Sequence, residues 1–216
     1  MYLSWSAFYE GNTDAQYFNT LIPRVLDDVI RSHGVRPCDV AEFPSVRFGV
    51  SDRQFDCVSR EICRRRDEFH IIFIHADLGG RALSQSIYDR REALIDRARD
   101  FCGFDVNTAV LLSPEKELEA WALSDPDALR SALGVTEIDE ALLPDSPRAA
   151  EKLEDPKDIL NQILEDASIK KRAHTQMLVR IAQEQSFTNL RRARSYVWFE
   201  ESLAAALRYL GFVPAR

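Results

Sequence analysis

Apolar residues along the chain gather in four short runs, separated by longer segments in which they recur every three or four positions. The short runs are rich in aromatic and β-branched residues, which is typical of strands, and cover Tyr2–Tyr9, Val40–Phe48, Phe69–His75 and Thr108–Leu112. The longer segments have helical periodicity and cover Asp14–Ser32, Asp52–Asp67 and Ser84–Phe101. This alternation predicts an α/β fold with a parallel sheet of about four strands flanked by helices.

After residue 115 the pattern changes to helices separated by proline-containing breaks. The helical segments are 116–133, 147–153, 157–167, 171–186 and 196–210. We therefore predict an α/β domain over residues 1–138 and an α-helical C-terminal extension over residues 139–216 that packs on it.

Polar and acidic residues follow the predicted strands. Glu10 ends the first run and is followed by Gly11 and Asp14, so a tight turn leads from strand to helix. His75 ends the third run, and Asp77 comes two positions later, before two glycines. Since ligands bind at the carboxyl ends of parallel strands, these side chains are candidates for a shared site.

A third acidic segment follows the fourth run and contains Glu115, Glu117, Glu119 and Trp121. Glu115 and Glu119 are four positions apart and would share a helix face. Each motif alone also has a plain structural explanation, such as a helix cap or an acid in the first turn of a helix. Carboxylates that converge repel one another unless a divalent cation binds them, so together the three segments predict a metal-dependent phosphoryl-transfer site.

The charge of the chain is uneven. It has 28 basic and 35 acidic side chains and a net charge of −7, which excludes recruitment of nucleic acid by bulk charge alone. Residues 168–216 hold nine basic and three acidic side chains, or +6, which leaves −13 for residues 1–167. An acidic body with a basic tail fits a metal centre beside a phosphate-binding surface, and also a tail that docks on its own body or on a partner.

Two basic clusters in the tail are candidates for a nucleic-acid-binding surface. Arginine suits bidentate contact with phosphate, and the candidates are Lys170, Lys171, Arg172, Arg191, Arg192 and Arg194. The second cluster is followed by Tyr196, Trp198 and Phe199, which could stack on bases. The apolar pattern continues beyond these aromatic residues, so they are equally candidates for the core.

The four cysteines, Cys38, Cys57, Cys63 and Cys102, form no C-x-x-C pair and have no histidine at zinc-like spacing. We therefore expect free thiols that pack as small apolar side chains in a reducing compartment. No apolar stretch approaches the ~18 residues that span a bilayer, and the first residues lack the basic region of a signal peptide. The expectation is a cytoplasmic protein that does not act on membranes.

The segments "EGNTD", "IIFIHADLGG" and "LSPEKELEAWALSDPDAL" resemble a Toprim-like family of bacterial proteins of unknown function. Toprim domains are the catalytic modules of topoisomerases, primases and OLD-type nucleases. The resemblance covers roughly residues 2–130 and, more weakly, "RSYVWFEESLAAAL". It implies that Glu10 acts as general acid or base and also contacts a metal, and that Asp77 holds Mg²⁺ or Mn²⁺. His75 stands where the Toprim pattern has a second aspartate, so His75, Asp14, Glu117 and Glu119 are the candidates that complete the metal site.

By this resemblance the protein would be a metal-dependent nuclease-type phosphodiester hydrolase in a bacterial anti-phage defence system, with DNA favoured over RNA but the choice between them left open. Such subunits are often part of larger assemblies, so the resemblance is compatible with an oligomer and leaves the oligomeric state open. The alternative is a catalytically degenerate subunit that binds and regulates an ABC-type ATPase; His75 and the net charge of −7 support it. A nucleotide-hydrolysing enzyme ranks last, because the chain has neither G-x-x-x-x-G-K-[ST] nor G-x-G-x-x-G.

Overall fold

The computed structural model describes residues 1–34, 36–46, 55–75 and 93–214. Within these ranges the protein is a mixed α/β structure with five short strands, all paired in parallel. The strands are Tyr2–Leu3 (β1), Trp5–Phe8 (β2), Asp39–Val40 (β3), Ile71–His75 (β4) and Ala109–Leu112 (β5). β1 pairs with β3, and β2, β4 and β5 form a three-stranded sheet in that order.

Helices account for most of the remaining described chain. The first three are Asn12–His33 (α1), Phe55–Arg65 (α2) and Asp96–Cys102 (α3). The others are Leu118–Ala122 (α4), Pro126–Leu133 (α5), Pro147–Ala150 (α6), Pro156–Asp166 (α7), His174–Glu184 (α8), Phe187–Leu190 (α9) and Arg194–Tyr209 (α10). The predicted mixed α/β character and parallel pairing are confirmed.

Alternate side chains of β4 point to opposite faces of the sheet, as the period of a strand requires. Ile71 and Phe73 join a large apolar cluster with α1, and Ile72 and Ile74 join a second cluster with α2 and α3. All five residues of β4 are buried, which explains why the run is apolar almost throughout.

The predicted second strand is largely wrong. Of Val40–Phe48, only Val40 belongs to a strand; residues 41–46 are irregular, and residues 47 and 48 lie outside the described chain. Within this segment Pro44 cannot donate a backbone hydrogen bond to a neighbouring strand, although the strand already ends four residues earlier. Ser45 on its far side still donates its backbone N–H to Trp5 O at 2.7 Å.

The helix predictions differ from the structure mainly at their boundaries. The predicted helix 116–133 divides into α4 and α5, because Asp125 and Pro126 begin a new helix with the Asp125 side chain as its N-cap. α1 matches the predicted Asp14–Ser32 closely. The predicted starts of the next two helices, at Asp52 and Ser84, lie outside the described residues.

The C-terminal helices share the large apolar cluster with the sheet, since its members run from Leu3 to Val213. α8 packs against both α1 and α5. α10 packs along β5 and runs antiparallel to it: Tyr209 at its end lies near Asp105 ahead of β5, and Ser195 at its start accepts from Trp121, which follows β5. The start of α10 therefore lies at the carboxyl edge of the sheet. The domain boundary at residue 138 stays a prediction.

The prediction that all four cysteines are free thiols is wrong for two of them. Cys63 at α2 and Cys102 at α3 form a disulfide across 39 positions of sequence. Cys38 is a half-buried free thiol, and Cys57 is exposed. The pairing follows from the packing of α2 against α3, which local cysteine spacing does not encode. The prediction of a reducing compartment therefore loses the support of free thiols and stays a prediction.

Among the described helices, none combines the length and apolar character that a bilayer crossing requires.

Thiol titration of the unreduced protein in denaturant should detect two reactive thiols, Cys38 and Cys57, and four after reduction. Reduction should also lower the free energy of unfolding by up to about 4 kcal/mol, since the chain-entropy cost of a loop of 39 residues is removed from the unfolded state. Cys57→Ser is the control and should lower the unreduced count to one. Four thiols in freshly purified, unreduced protein would contradict the pairing.

Candidate active site at the carboxyl edge of the sheet

The strand register brings the three sequence-predicted segments to one edge of the sheet. Phe8 of β2 is level with Ile74 of β4, and His75 of β4 is level with Leu112 of β5. Since the strands are parallel, Glu10, His75 and the segment beginning at Ser113 all emerge at the same carboxyl edge. This part of the predicted arrangement follows directly from the backbone.

Two of the candidate side chains, those of Asp14 and His75, lie close together. Asp14 Oδ2 lies 3.8 Å from His75 Nδ1, and the His75 side chain is fully buried while that of Asp14 is 15% exposed. The distance is that of an ion pair rather than a hydrogen bond. The His75 ring packs beside Phe18 of α1, with ring centroids 4.8 Å apart. An imidazole is thus held against a carboxylate at the end of the central strand.

Gly11 provides the space that the Asp14 carboxylate occupies. Gly11 is the N-cap of α1 with an extended backbone, so its torsion angles do not themselves demand glycine. A Cβ atom at this position would lie 2.8 Å from Asp14 Oδ2, which is closer than real Cβ contacts. Any other residue at position 11 would therefore push the carboxylate away from its observed place. Asp14 is also in the first turn of α1, where a negative charge is favoured.

Tyr9 adds an aromatic wall to the same edge. Burial, together with the negative charge of Asp14, raises the pKa of Tyr9 well above its usual value. Its hydroxyl stays protonated and donates to Asn19 Oδ1 at 2.7 Å. The ring centroid of Tyr9 lies 6.4 Å from that of His75.

The remaining candidates of the predicted site have different environments. Glu10 is half-buried at the end of β2, Glu117 is half-buried at the N-cap of α4, and Glu119 is buried, with 7% of its surface exposed. Burial, together with the negative charge of Glu119, raises the pKa of Tyr17 in α1, the residue before Phe18. Asp77, the principal predicted metal ligand, lies outside the described residues.

The donor atoms at this edge suit a divalent cation only in part. Within the described ranges, no group of three or more His, Cys, Asp or Glu side chains could hold a metal ion. The Asp14–His75 pair nevertheless supplies one oxygen and one nitrogen donor beside a space that a Cβ atom at Gly11 would fill. Mg²⁺ commonly uses one or two carboxylates and keeps several waters. The pair fits such a weakly ligated ion, with Mn²⁺ accepting the imidazole more readily than Mg²⁺ does.

A cavity of about 400 Å³ opens beside this edge. Tyr9 lines it together with three amide side chains on one face of the first turns of α1, those of Asn12, Gln16 and Asn19. Amides both donate and accept hydrogen bonds. The amides give one side of the cavity a polar, uncharged wall, and apolar side chains such as Phe43 and Val46 line other parts of it. Glu10, Asp14 and His75 are not among the described residues that line it.

Trp121 of the "ELEAW" segment has a structural role. It is fully buried, and its indole Nε1 donates to Ser195 Oγ at 2.8 Å. Ser195 Oγ in turn donates to Glu151 Oε1 at 2.5 Å, and the Trp121 carbonyl accepts from Gln185 Nε2 at 2.6 Å. These bonds tie the segment after β5 to α8 and α10, so Trp121 positions the edge rather than acting on a ligand.

The structure separates the predicted basic residues into three groups. Lys170, Lys171 and Arg172 are exposed around a short 3-10 turn before α8. Arg191 is held in ion pairs with Asp28 of α1 and Glu200 of α10. Hydrogen bonds to Glu200 raise the pKa of Arg191; burial lowers it in part, and a hydrogen bond to Asp28 raises it further. Because Asp28 and Glu200 lie on different helices, Arg191 connects α1 to α10.

Arg192 and Arg194 line a surface cleft of about 450 Å³ at the start of α10. Arg148 and Trp198 line the same cleft. Sequence reasoning missed Arg148, because it lies 44 positions before Arg192 and no local pattern connects the two.

No family model, curated protein or solved structure matches this chain. The Toprim likeness therefore stays a prediction, and the site has to be argued from its own residues.

Proposed function

We propose that this chain is a divalent-metal-dependent phosphodiester hydrolase of the nuclease type, with its active site at the carboxyl edge of β2, β4 and β5. The observation that carries the proposal is the Asp14–His75 pair, with Asp14 Oδ2 3.8 Å from His75 Nδ1 at the end of the central parallel strand. The likeness of the strand-end motifs to Toprim domains supports the same reaction class. It also supports a Toprim-like fold and a role in anti-phage defence.

Each residue has a proposed task. Asp14, with Glu10 and Asp77, would hold Mg²⁺ or Mn²⁺; a bound ion of this kind stabilises charge on a phosphate and activates water. With the carboxylates holding the ion, His75 would serve as the base that accepts a proton, and the charge of Asp14 would stabilise its imidazolium form. Glu10 at the end of β2 would act as general acid or base for the leaving oxygen.

The burial of His75 suits this task. Its ring is shielded from bulk water by Phe18 and lies near Tyr9, so its electrostatic interaction with Asp14 is screened less than at the surface. A substrate group in the cavity beside Tyr9 would contact the amide side chains of α1 and reach the carboxylates only from its far side.

The proposal is tested by incubating purified protein with plasmid DNA and with a labelled RNA, in Mg²⁺, in Mn²⁺ and in chelator. We expect cleavage in Mn²⁺ and Mg²⁺ that chelator abolishes. In Glu10→Ala the rate should fall about 100-fold or more, because general acid–base groups contribute on this order. Glu42→Ala, which changes an exposed glutamate in the irregular segment after β3, is the charge-matched control and should cut at the parent rate.

Two results would contradict the proposal: absence of cleavage of both substrates in either metal, and cleavage by Glu10→Ala at the parent rate. In the first case, co-purification with an ABC-type ATPase at fixed stoichiometry would favour the regulatory alternative.

A further inference from the structure

The cleft at the start of α10 combines three cationic side chains with an accessible aromatic ring. Arg148, Arg192 and Arg194 are exposed, and among the described residues none of the three forms an ion pair. This sets them apart from Arg191, which is neutralised by Asp28 and Glu200. Glu201 is the acidic side chain in the lining, so the cleft carries a net positive charge.

Glu151 explains why residues distant in sequence meet here. Its buried carboxylate accepts hydrogen bonds from the backbone N–H groups of Arg194 and Ser195, at 2.7 and 2.8 Å. Arg148 lies in the short helix α6, three residues before Glu151 at the end of that helix, so this cap brings Arg148 to the start of α10. Two of the amide groups at the helix start, those of Arg194 and Ser195, already donate to Glu151, so we assign anion binding in the cleft to the arginines.

Trp198 is the one tryptophan of the chain that a ligand can reach. Trp5 and Trp121 are fully buried, whereas Trp198 is half-buried and lines the cleft. The neighbouring Tyr196 and Phe199 are both buried in the core. The structure thus decides between the two roles of these aromatic residues and leaves a single indole beside the arginines.

We propose that the cleft of Arg148, Arg192, Arg194 and Trp198 binds single-stranded nucleic acid, with the arginines on the phosphates and a base stacked on the Trp198 ring. Guanidinium groups bind phosphate in a bidentate manner, and stacking on an aromatic ring tolerates any base but requires that the base be unpaired. A duplex keeps its bases stacked internally and offers the cleft only phosphates.

The position of the cleft links it to the proposed hydrolase. α10 runs antiparallel to β5, so its start lies at the same edge of the sheet as Asp14 and His75. The role of the cleft in guiding a strand to the active site rests on the proposed function. Its affinity for a strand is nevertheless measurable without any cleavage.

The test measures binding of a fluorescein-labelled single-stranded oligonucleotide in chelator, by anisotropy and by tryptophan quenching. We expect the triple variant Arg148→Gln, Arg192→Gln, Arg194→Gln to weaken binding about tenfold or more. The slope of log affinity against log salt should become shallower by about 0.7 for each phosphate that the variant no longer neutralises. Trp198→Phe should remove most of the quenching, and Trp198→Ala should weaken binding about tenfold, the usual effect of removing one stacked base.

A charge-matched control changes three arginines elsewhere that pair with acids on their own helices, the exposed Arg31 and Arg99 and the half-buried Arg130, in the variant Arg31→Gln, Arg99→Gln, Arg130→Gln. It should retain most of the affinity. Equal weakening by the two triple variants would overturn the proposal in favour of bulk charge. Tighter binding of the duplex form would overturn the stacking mode, as would quenching that persists in Trp198→Phe. DNA and RNA strands of one sequence show which sugar is preferred.

The outcomes keep the two proposals distinct. Binding that depends on the cleft, without cleavage in any metal, would support the cleft and contradict the hydrolase. Cleavage by a protein whose cleft variants bind normally would support the hydrolase and contradict the cleft.

Discussion

Asp14→Asn should reduce metal-dependent cleavage about 100-fold or more while the protein stays folded. The change keeps the size of the side chain but removes the charge that faces His75 Nδ1 at 3.8 Å. It therefore removes a metal donor and the group that stabilises a protonated imidazole in a single step. The loss of a carboxylate from the first turn of α1 should cost only about 0.5–1 kcal/mol of stability.

Two further variants separate the position of the carboxylate from its charge. Gly11→Ala keeps every charge but places a Cβ atom 2.8 Å from the observed position of Asp14 Oδ2, so it should lower the cleavage rate by displacing that carboxylate. Asp27→Asn removes an exposed carboxylate from the same helix, where it pairs with Arg31, and should cut at the parent rate. Parent-like cleavage by Asp14→Asn, with a thermal unfolding midpoint near that of the parent, would refute the assignment.

The second large effect is expected from Glu151→Ala. The Glu151 side chain is almost fully buried and accepts from the backbone N–H groups of Arg194 and Ser195 and from Ser195 Oγ. Its removal leaves these donors unsatisfied and breaks the connection to Trp121 Nε1. Each unsatisfied buried group costs about 1–3 kcal/mol, so we expect a loss of about 3 kcal/mol or more in the free energy of unfolding.

Denaturant titration and thermal unfolding measure this loss, and for a chain of this size it corresponds to a fall of about 6–12 °C in Tm. Glu154→Ala removes an exposed carboxylate three residues away and should leave Tm unchanged within error. Glu151→Gln should lie between the two, since the amide oxygen still accepts hydrogen bonds whereas the NH₂ group in place of the second oxygen cannot. A Glu151→Ala protein as stable as the parent would show that the cap contributes nothing.

The Glu151→Ala variant also tests the connection between the core and the proposed cleft. Because Glu151 holds α6 against the start of α10, its removal should let Arg148 move away from Arg194 and so weaken oligonucleotide binding. In contrast, the arginine variants of the cleft change exposed side chains and should leave the stability of the fold almost unaffected.

Local patterns in the sequence were sufficient to predict the elements in which burial alone determines where apolar residues stand. β4 is buried on both faces, and its unbroken apolar run identifies it as a central parallel strand. α1 buries a single stripe, so its periodicity and length were predictable. The order of strands and helices then implied parallel pairing, which places Glu10 and His75 at one edge.

Partnerships between distant residues were decided only by tertiary packing. The Cys63–Cys102 disulfide depends on how α2 meets α3, and Arg148 reaches Arg194 only because Glu151 caps α10. Composition alone was also misleading after β3, where the strand ends at Val40 although strand-forming residues continue. Sequence determines local periodicity and the order of elements because these depend on neighbours along the chain. Partners across the fold depend on which surfaces bury the most apolar area together, and only the three-dimensional structure decides that for this protein.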